Sequence, residues 1–338
     1  MTHSEGLPQF DSAAETGRIS SWMRGVVHGE LRRKGIAVAV SGGIDSAVCA
    51  ALSAHALGKD NTFALLLPDR DSSPESSELG REVATRFGIP AVVHDITPLL
   101  ESAGCYSQQI AALQSLVPEY GEGWKSKVVL PPILGTERLN ITRIVVQSPD
   151  GESSTVRPTP EAYRRLVAAT NYKQRTRTML TYFHADRLHY AVCGTPNRLE
   201  YELGFFVKGG DGLADVKPIA HLYKTQVYQI ARELGVPEAI ISRTPTTDTY
   251  SLAQTQEEFF FALPYQSMDV CLYGFNNEIP ASEIAKSVGL TEEQVLRVYE
   301  DVRAKKRNAE YLHKQGLTLL SHSEPLPLAP SPAQGMAF

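Results

Sequence analysis

The clearest pattern in the chain is a short apolar run, Ile36-Ala37-Val38-Ala39-Val40, that ends in Ser41-Gly42-Gly43-Ile44-Asp45-Ser46 and passes at once into the helix-compatible Ala47-Val48-Cys49-Ala50-Ala51-Leu52. Similar strand-like runs recur at Thr62–Leu67, Ala91–His94 and Leu188–Cys193. Between them the apolar positions change to helical spacing over Ser46–Leu57, Ser76–Phe87 and Asn171–Ala185. Ahead of the first strand, Ile19, Trp22, Met23, Val26, Val27 and Leu31 predict an amphipathic helix from about Ser12 to Lys34. Strands alternating with helices predict an α/β fold: a doubly wound parallel sheet with helices on both faces. Ligands of such sheets bind beyond the carboxyl ends of the strands, which is where residues 41–46 fall.

Two segments break the alternation. Between about Cys105 and Ala168 lie Pro131-Pro132 and a hairpin pattern, Ile144–Gln147 and Ser154–Val156 around Pro149-Asp150-Gly151. This reads as an insertion into a single domain spanning residues 1–320. Near the C-terminus, Ala281–Val288 and Thr291–Lys305 predict a helical pair joined at Gly289. Glu292, Glu293, Glu300 and Asp301 would face phosphates badly, so a packed helical hairpin is expected rather than a DNA reader. Residues 1–10 and the Pro/Ser/Ala-rich tail, 321–338, are expected to be unstructured.

Composition narrows the class. The 338 residues are 42% hydrophobic and 21% charged, ordinary for a globular protein. A net charge of −5 gives no electrostatic case for nucleic acid, and the short basic clusters Arg32-Arg33-Lys34 and Lys305-Lys306-Arg307 read as solvated helix faces. No run reaches the apolar length of a membrane helix, and the first residues are not a signal peptide. Cys49, Cys105, Cys193 and Cys271 show no C-x-x-C spacing and are expected to be reduced and mostly buried, as in a cytoplasmic protein.

The first loop suits phosphate. Two glycines let the backbone approach a ligand closely, and Ser41, Ser46 and the free N–H groups of the new helix are expected to face an anion. It is not a Walker loop, because no lysine follows the glycines. Asp45 would repel phosphate unless Mg²⁺ lies between them. A second strand-to-helix junction, Gly194-Thr195-Pro196-Asn197-Arg198-Leu199-Glu200, should meet the first at the same sheet edge. Thr195 offers a hydroxyl there, and Glu200 a second carboxylate with which Asp45 can clamp Mg²⁺ on a triphosphate. For either carboxylate alone, complementing the helix dipole is the simpler explanation.

The loop SGGIDS resembles that of the ATP pyrophosphatases. Read with Asn171-Tyr172-Lys173-Gln174-Arg175, with 204–219 (GFFVKGGDGLADVKPI) and with Leu222-Tyr223-Lys224-Thr225-Gln226-Val227, the chain resembles the NAD synthetase family. Pro245-Thr246-Thr247-Asp248, Gln254-Thr255-Gln256-Glu257-Glu258 and Tyr265-Gln266-Ser267-Met268-Asp269 extend the likeness, which covers about residues 15–100 and 170–305. The resemblance implies that Ser41, Gly42, Gly43, Ile44, Asp45, Ser46, Thr195, Lys224 and Thr246 contact ATP, and that Asp45 and Glu200 hold Mg²⁺. It also implies that Arg175, Lys208 and Asp215 contact the dinucleotide, and that Asp211 handles ammonia. Leu213 stands where the family commonly has a second glycine. The family's C-terminal His-Lys-Arg element is only partly echoed by Lys305-Lys306-Arg307.

The implied activity is ammonia-dependent NAD synthesis. The carboxylate of nicotinic acid adenine dinucleotide attacks ATP, pyrophosphate leaves, and ammonia attacks the resulting acyl-adenylate. Asp45, Lys224 and Asp211 carry the catalytic roles, Asp211 either accepting the ammonium proton or gathering the cation. With no glutaminase expected in the chain, ammonia would arrive free or from a separate protein. The alternatives are an amide ligase acting on another carboxylate and a nucleotide-binding protein without turnover. A homodimer is expected, with Trp22, Met23 and Val26 buried against something and the 105–168 insertion folded over the substrate entrance or along the subunit interface.

Overall fold

The computed structural model describes residues 6–130, 142–246, 250–261 and 263–318. The first strand, β1 (Ile36–Ala39), lies at the centre of a parallel sheet, between β2 (Thr62–Leu66) and β7 (Ala191–Cys193), with β3 (Ala91–Val93) beyond β2. The order β3-β2-β1-β7 means that the chain winds outward from β1 on one side and returns on the other. Alternation along each strand gives the sheet two apolar faces. Ile36, Val38 and Ala64 pack with α1 (Ser12–Arg24), α2 (Ile44–Leu57) and α8 (Lys224–Leu234). Ala37, Leu65 and Val192 pack on the other face with α4 (Thr97–Ser102), the start of α5 (Cys105–Gln114) and the later turns of α6 (Pro160–Leu188). The expected doubly covered parallel sheet is present.

Several boundaries differ from the periodicity. The first helix keeps regular α geometry only to Arg24 and continues as a π-helical turn, Gly25–Glu30. Arg32-Arg33-Lys34 therefore lies in the connection to β1 rather than on a helix face, and Arg33 Nη1 meets His189 Nδ1 at 2.9 Å. Leu188 is not the start of a strand but the last residue of α6, which His189 ends in the left-handed region at φ 59°. The same helix begins at Pro160, well before the predicted Asn171, because Thr159 caps Ala162 N–H and Pro160 occupies the first turn.

The 105–168 segment is accordingly more than a hairpin. Its ends are helical, α5 and the first turns of α6, and its middle is an antiparallel sheet of β4 (Lys125–Val129), β5 (Arg143–Gln147) and β6 (Ser153–Val156). The expected hairpin is β5–β6. β4 escapes a hydrophobic reading because Lys125-Ser126-Lys127 is polar, yet Ser126 and Val128 point inward. Val128, Ile144 and Val146 pack with Leu113, Val117 and Leu166. Pro131-Pro132 lies outside the described residues, as does the tail, 321–338.

The short α9 (Glu238–Ile241) packs with α2 and α8, and a helical subassembly completes the fold: α7 (Arg198–Leu203), α10 (Tyr265–Asn276), α11 (Ala281–Val288) and α12 (Glu292–His313). The predicted helical pair is α11–α12, with Gly289 at φ 68° ending α11. Lys305 and Lys306 are not a solvated face: Lys305 pairs with Asp301 at 2.6 Å and donates to the Phe260 carbonyl, and Lys306 pairs with Glu202 at 2.7 Å. Burial lowers the Lys305 pKa.

Of the apolar residues of α1, Met23 is fully buried in the chain's own core and Trp22 stays 45% exposed. Met23→Ala should cost about 2–5 kcal/mol in denaturant unfolding, through lost burial and a residual cavity. Trp22→Ala should change it by less than about 0.5 kcal/mol.

Candidate active site

The carboxyl ends of β1 and β7 are neighbours, and the loops leaving them meet at the point where the strand order reverses. At the first loop, Gly42 has φ 79°, and a Cβ there would stand 2.4 Å from the Ser76 carbonyl oxygen. Only glycine lets the loop pass the start of α3 (Pro74–Phe87) this closely. The Ser46 hydroxyl accepts from Ser41 N–H at 3.1 Å and donates to the Gly43 carbonyl at 2.9 Å. The Ser41 hydroxyl accepts from Gly43 N–H at 3.3 Å. Both hydroxyls thus shape the loop that carries Asp45 into α2.

At the second loop, Asn197 and Glu200 form a reciprocal capping box at the start of α7: Glu200 N–H donates to Asn197 Oδ1 at 3.2 Å, and Asn197 N–H to Glu200 Oε2 at 3.1 Å. The other end of the Asn197 amide donates to Asp45 Oδ1 at 3.1 Å and ties the two loops together. Asp45 Oδ2 takes an ion pair from Lys224 Nζ, whose side chain is 2% exposed. Lys224 is the first residue of α8, and Asp269 of α10 holds it there, accepting from Lys224 N–H at 3.1 Å and Thr225 N–H at 2.8 Å.

The electrostatics follow from crowding charge into a covered place. Burial, then the neighbouring Asp45, drives Glu200 up to about 8. Asp45 and Glu200 keep the Lys224 ammonium charged, raising its pKa although burial opposes it. Burial pushes Asp269 up to about 7 despite its two backbone donors. Asp211 is exposed at the cavity and accepts from Val207 N–H at 2.7 Å. Beneath the loops, burial and Cys193 raise the Cys49 thiol well above its ordinary value. All four cysteines are free and buried, as expected.

These groups open onto a cavity of about 620 Å³, large enough for a nucleotide-sized ligand. Ser41 through Ser46, Thr195, Glu200, Asp211, Lys224 and Thr246 all line it. Arg175, Lys208 and Asp215 are not among its lining residues. Arg175 is exposed and donates to the Lys208 carbonyl at 3.3 Å. Lys208 Nζ reaches the Tyr311 and Lys314 carbonyls, each at 2.8 Å. Asp215 accepts from Val192 N–H at 2.7 Å and from the Tyr182 hydroxyl at 3.2 Å. Lys305-Lys306-Arg307 does not line the cavity either. Thr246 bridges Thr255, while Thr247 and Asp248 of the same motif lie outside the described residues.

Several residues at the site have roles that no sequence pattern states. Asn197 was legible, since N-x-x-E is a capping-box spacing. Gln256, whose amide donates to Glu200 Oε1 at 3.2 Å, and Asp269 lie in segments that carry the family resemblance, but their contacts span long sequence separations and give no local sign of a role. Arg177 lines the cavity, with its guanidinium on the Leu67 carbonyl at 3.0 Å and Asp69 at 2.9 Å. The cavity is also lined by Val128, Leu130, Thr142 and Tyr163, described residues of the 105–168 segment.

The same frame occurs in known proteins. An NMN synthetase from Francisella tularensis superposes with a TM-score of 0.64 at 23% identity, covering 92% of this chain and 99% of that one, a likeness of fold. The NH(3)-dependent NAD(+) synthetase of Mesorhizobium japonicum is 57% identical over 91% of this chain and 97% of its own length. The enzyme of the same name from Rhizobium meliloti is 53% identical over 93% of each. The NAD synthase family model matches residues 15–117 and 135–311. With both sheet-edge loops inside those stretches, the chain belongs to the NAD synthase family.

Proposed function

We propose that the protein is an ammonia-dependent NAD synthetase that adenylates the carboxylate of nicotinic acid adenine dinucleotide with ATP, releases pyrophosphate and amidates the product. The observation that carries this reading is the convergence of Asp45, Glu200 and Lys224 in one cavity, from three separate helix starts. The names of relatives more than half identical to the chain support it.

The donor set fits Mg²⁺. Two carboxylates share a covered site, and their proximity together with burial holds Glu200 at about 8, a cost that a divalent cation would relieve. Asp45 and Glu200 would hold it; when bound, Mg²⁺ would neutralise charge on the transferring phosphates. The chain's own residues do the rest. The N–H groups at the start of α2 face the triphosphate end, Thr195 and Thr246 add hydroxyls, and the Lys224 ammonium stabilises charge spreading over the α-phosphate and the leaving pyrophosphate. No nucleophilic side chain is required. Asp211 lines the cavity with an exposed carboxylate, and is suited either to take the proton that ammonium must lose before attack or to gather the cation.

Arg175, Lys208 and Asp215 are the proposed dinucleotide contacts, at the edge of the site. Arg175 shares the outer face of α6 with the exposed Tyr172, Met179 and Phe183. We assign this apolar face to a second copy of the chain, which would bring Arg175 into a covered site. Among the described residues no helix is long and apolar enough to cross a membrane. Four free cysteines agree with a cytoplasmic location.

The decisive experiment incubates the protein with ATP, Mg²⁺, a panel of carboxylates, and either ammonium or glutamine as nitrogen source. Pyrophosphate release and amidation should require nicotinic acid adenine dinucleotide and ammonium; release with a different acid would move the substrate, and none with any acid would remove the activity. Asp45→Asn and Glu200→Gln keep the shape but not the charge of the clamp, and each should abolish pyrophosphate release while thermal unfolding stays cooperative. Lys224→Ala should lower turnover by at least about a hundredfold, as for loss of one preorganised donor. Met179→Glu with Phe183→Glu should give a monomer in sedimentation velocity, and an unchanged dimer would place the interface elsewhere.

A further inference from the structure

We infer that Gln256 is a positioning residue for the Glu200 carboxylate, and that the inserted antiparallel sheet holds it there; the inference rests on reading Asp45 and Glu200 as the Mg²⁺ clamp. β5 covers one edge of β4. The other edge of a strand carries a row of unpaired backbone donors and acceptors, presented by every second residue. Here Ser126, Val128 and Leu130 present that row, and the segment following Tyr250 occupies it. Ser126 N–H donates to Ser251 Oγ at 2.9 Å, and the Ser126 carbonyl accepts from Leu252 N–H at 3.1 Å. The Val128 carbonyl takes the Gln254 side-chain amide, and Leu130 N–H donates to the Glu258 carbonyl at 3.0 Å. Lys127 adds an ion pair with Glu258 at 3.1 Å.

The residue between these anchors is Gln256. Its backbone N–H reaches the Pro245 carbonyl at 3.2 Å, and its side-chain amide reaches Glu200 Oε1 at 3.2 Å. Glu200 Oε2 is already held by Asn197 N–H at 3.1 Å. With one donor on each oxygen, the plane of the carboxylate is fixed before any cation arrives. Glu200 is thus oriented by its own helix cap and by a residue whose place depends on β4. Residues 118–134, which include β4, fall between the two stretches that the family model matches. The insertion therefore contributes to the geometry of the clamp as well as to the lining of the cavity.

The test compares Gln256→Leu with Lys127→Ala/Ser251→Ala, a pair of changes outside the cavity lining. Mg²⁺ is titrated calorimetrically into the ATP-loaded protein without ammonium or carboxylate, and hydrogen exchange is followed at the amides of Leu130 and Leu252. Gln256→Leu should weaken Mg²⁺ about tenfold, the usual effect of removing an outer partner of a metal ligand, with pyrophosphate release recovering to within about threefold at saturating Mg²⁺. Lys127→Ala/Ser251→Ala should speed exchange at both amides by about tenfold or more and weaken Mg²⁺ in the same direction. Combining all three changes should lose no more than Gln256→Leu alone, because both routes end at one contact. Mg²⁺ affinity unchanged by Gln256→Leu, or losses that multiply in the combined variant, would overturn the role of Gln256. Failure of the unsubstituted protein to take up Mg²⁺ with ATP is a separate result, and would sink the metal reading of the clamp itself.

Discussion

The ion pair between Asp45 and Lys224 is the constraint around which the site is arranged. A lysine this thoroughly buried is tolerated only beside an opposite charge, and breaking such a pair typically costs about 3–5 kcal/mol because one charge is left uncompensated. The surrounding bonds supply what the pair lacks. Asn197 gives Asp45 its second partner, and Asp269 caps the helix that begins at Lys224. Three segments distant in sequence are thereby held to one another through a single carboxylate.

Sheet topology makes that arrangement possible. Because β7 returns to the free side of β1, the loops carrying Asp45 and Asn197–Glu200 emerge side by side at the reversal of strand order. Both loops hand over directly to helices, so each carboxylate sits at a helix start whose unpaired N–H groups favour negative charge. Burial, and after it the like charge of Asp45, drives Glu200 up to about 8.

The added parts of the chain converge on the same place. The antiparallel sheet lines the cavity and pairs through β4 with the segment carrying Gln256, while α12 holds that segment from the other side through Lys305 and the Phe260 carbonyl. Lys208, tied to the end of α12, links the glycine-rich loop after α7 to the same helical subassembly. The binding end of the sheet is thus enclosed by elements that the parallel sheet alone would not provide.

The sequence by itself determined the parallel sheet and the glycine-bearing loop that leaves β1, because each rests on local chemistry. Apolar runs mark β1 and β2, two glycines mark the close passage at Gly42, and strand-to-helix junctions put Asp45 and Glu200 at helix starts. Signals carried by single residues were weaker. The early start of α6 rested on Thr159-Pro160, and β4 was concealed by Lys125-Ser126-Lys127, whose inward and outward positions only a partner strand reveals. The tertiary structure alone decided which distant groups satisfy one another. Asp269 caps a helix 45 residues before it in the chain, and Gln256 meets a carboxylate 56 residues away. Neither contact leaves a local trace, because a hydrogen bond constrains distance and direction in space, while periodicity records only which face of its own element a residue occupies.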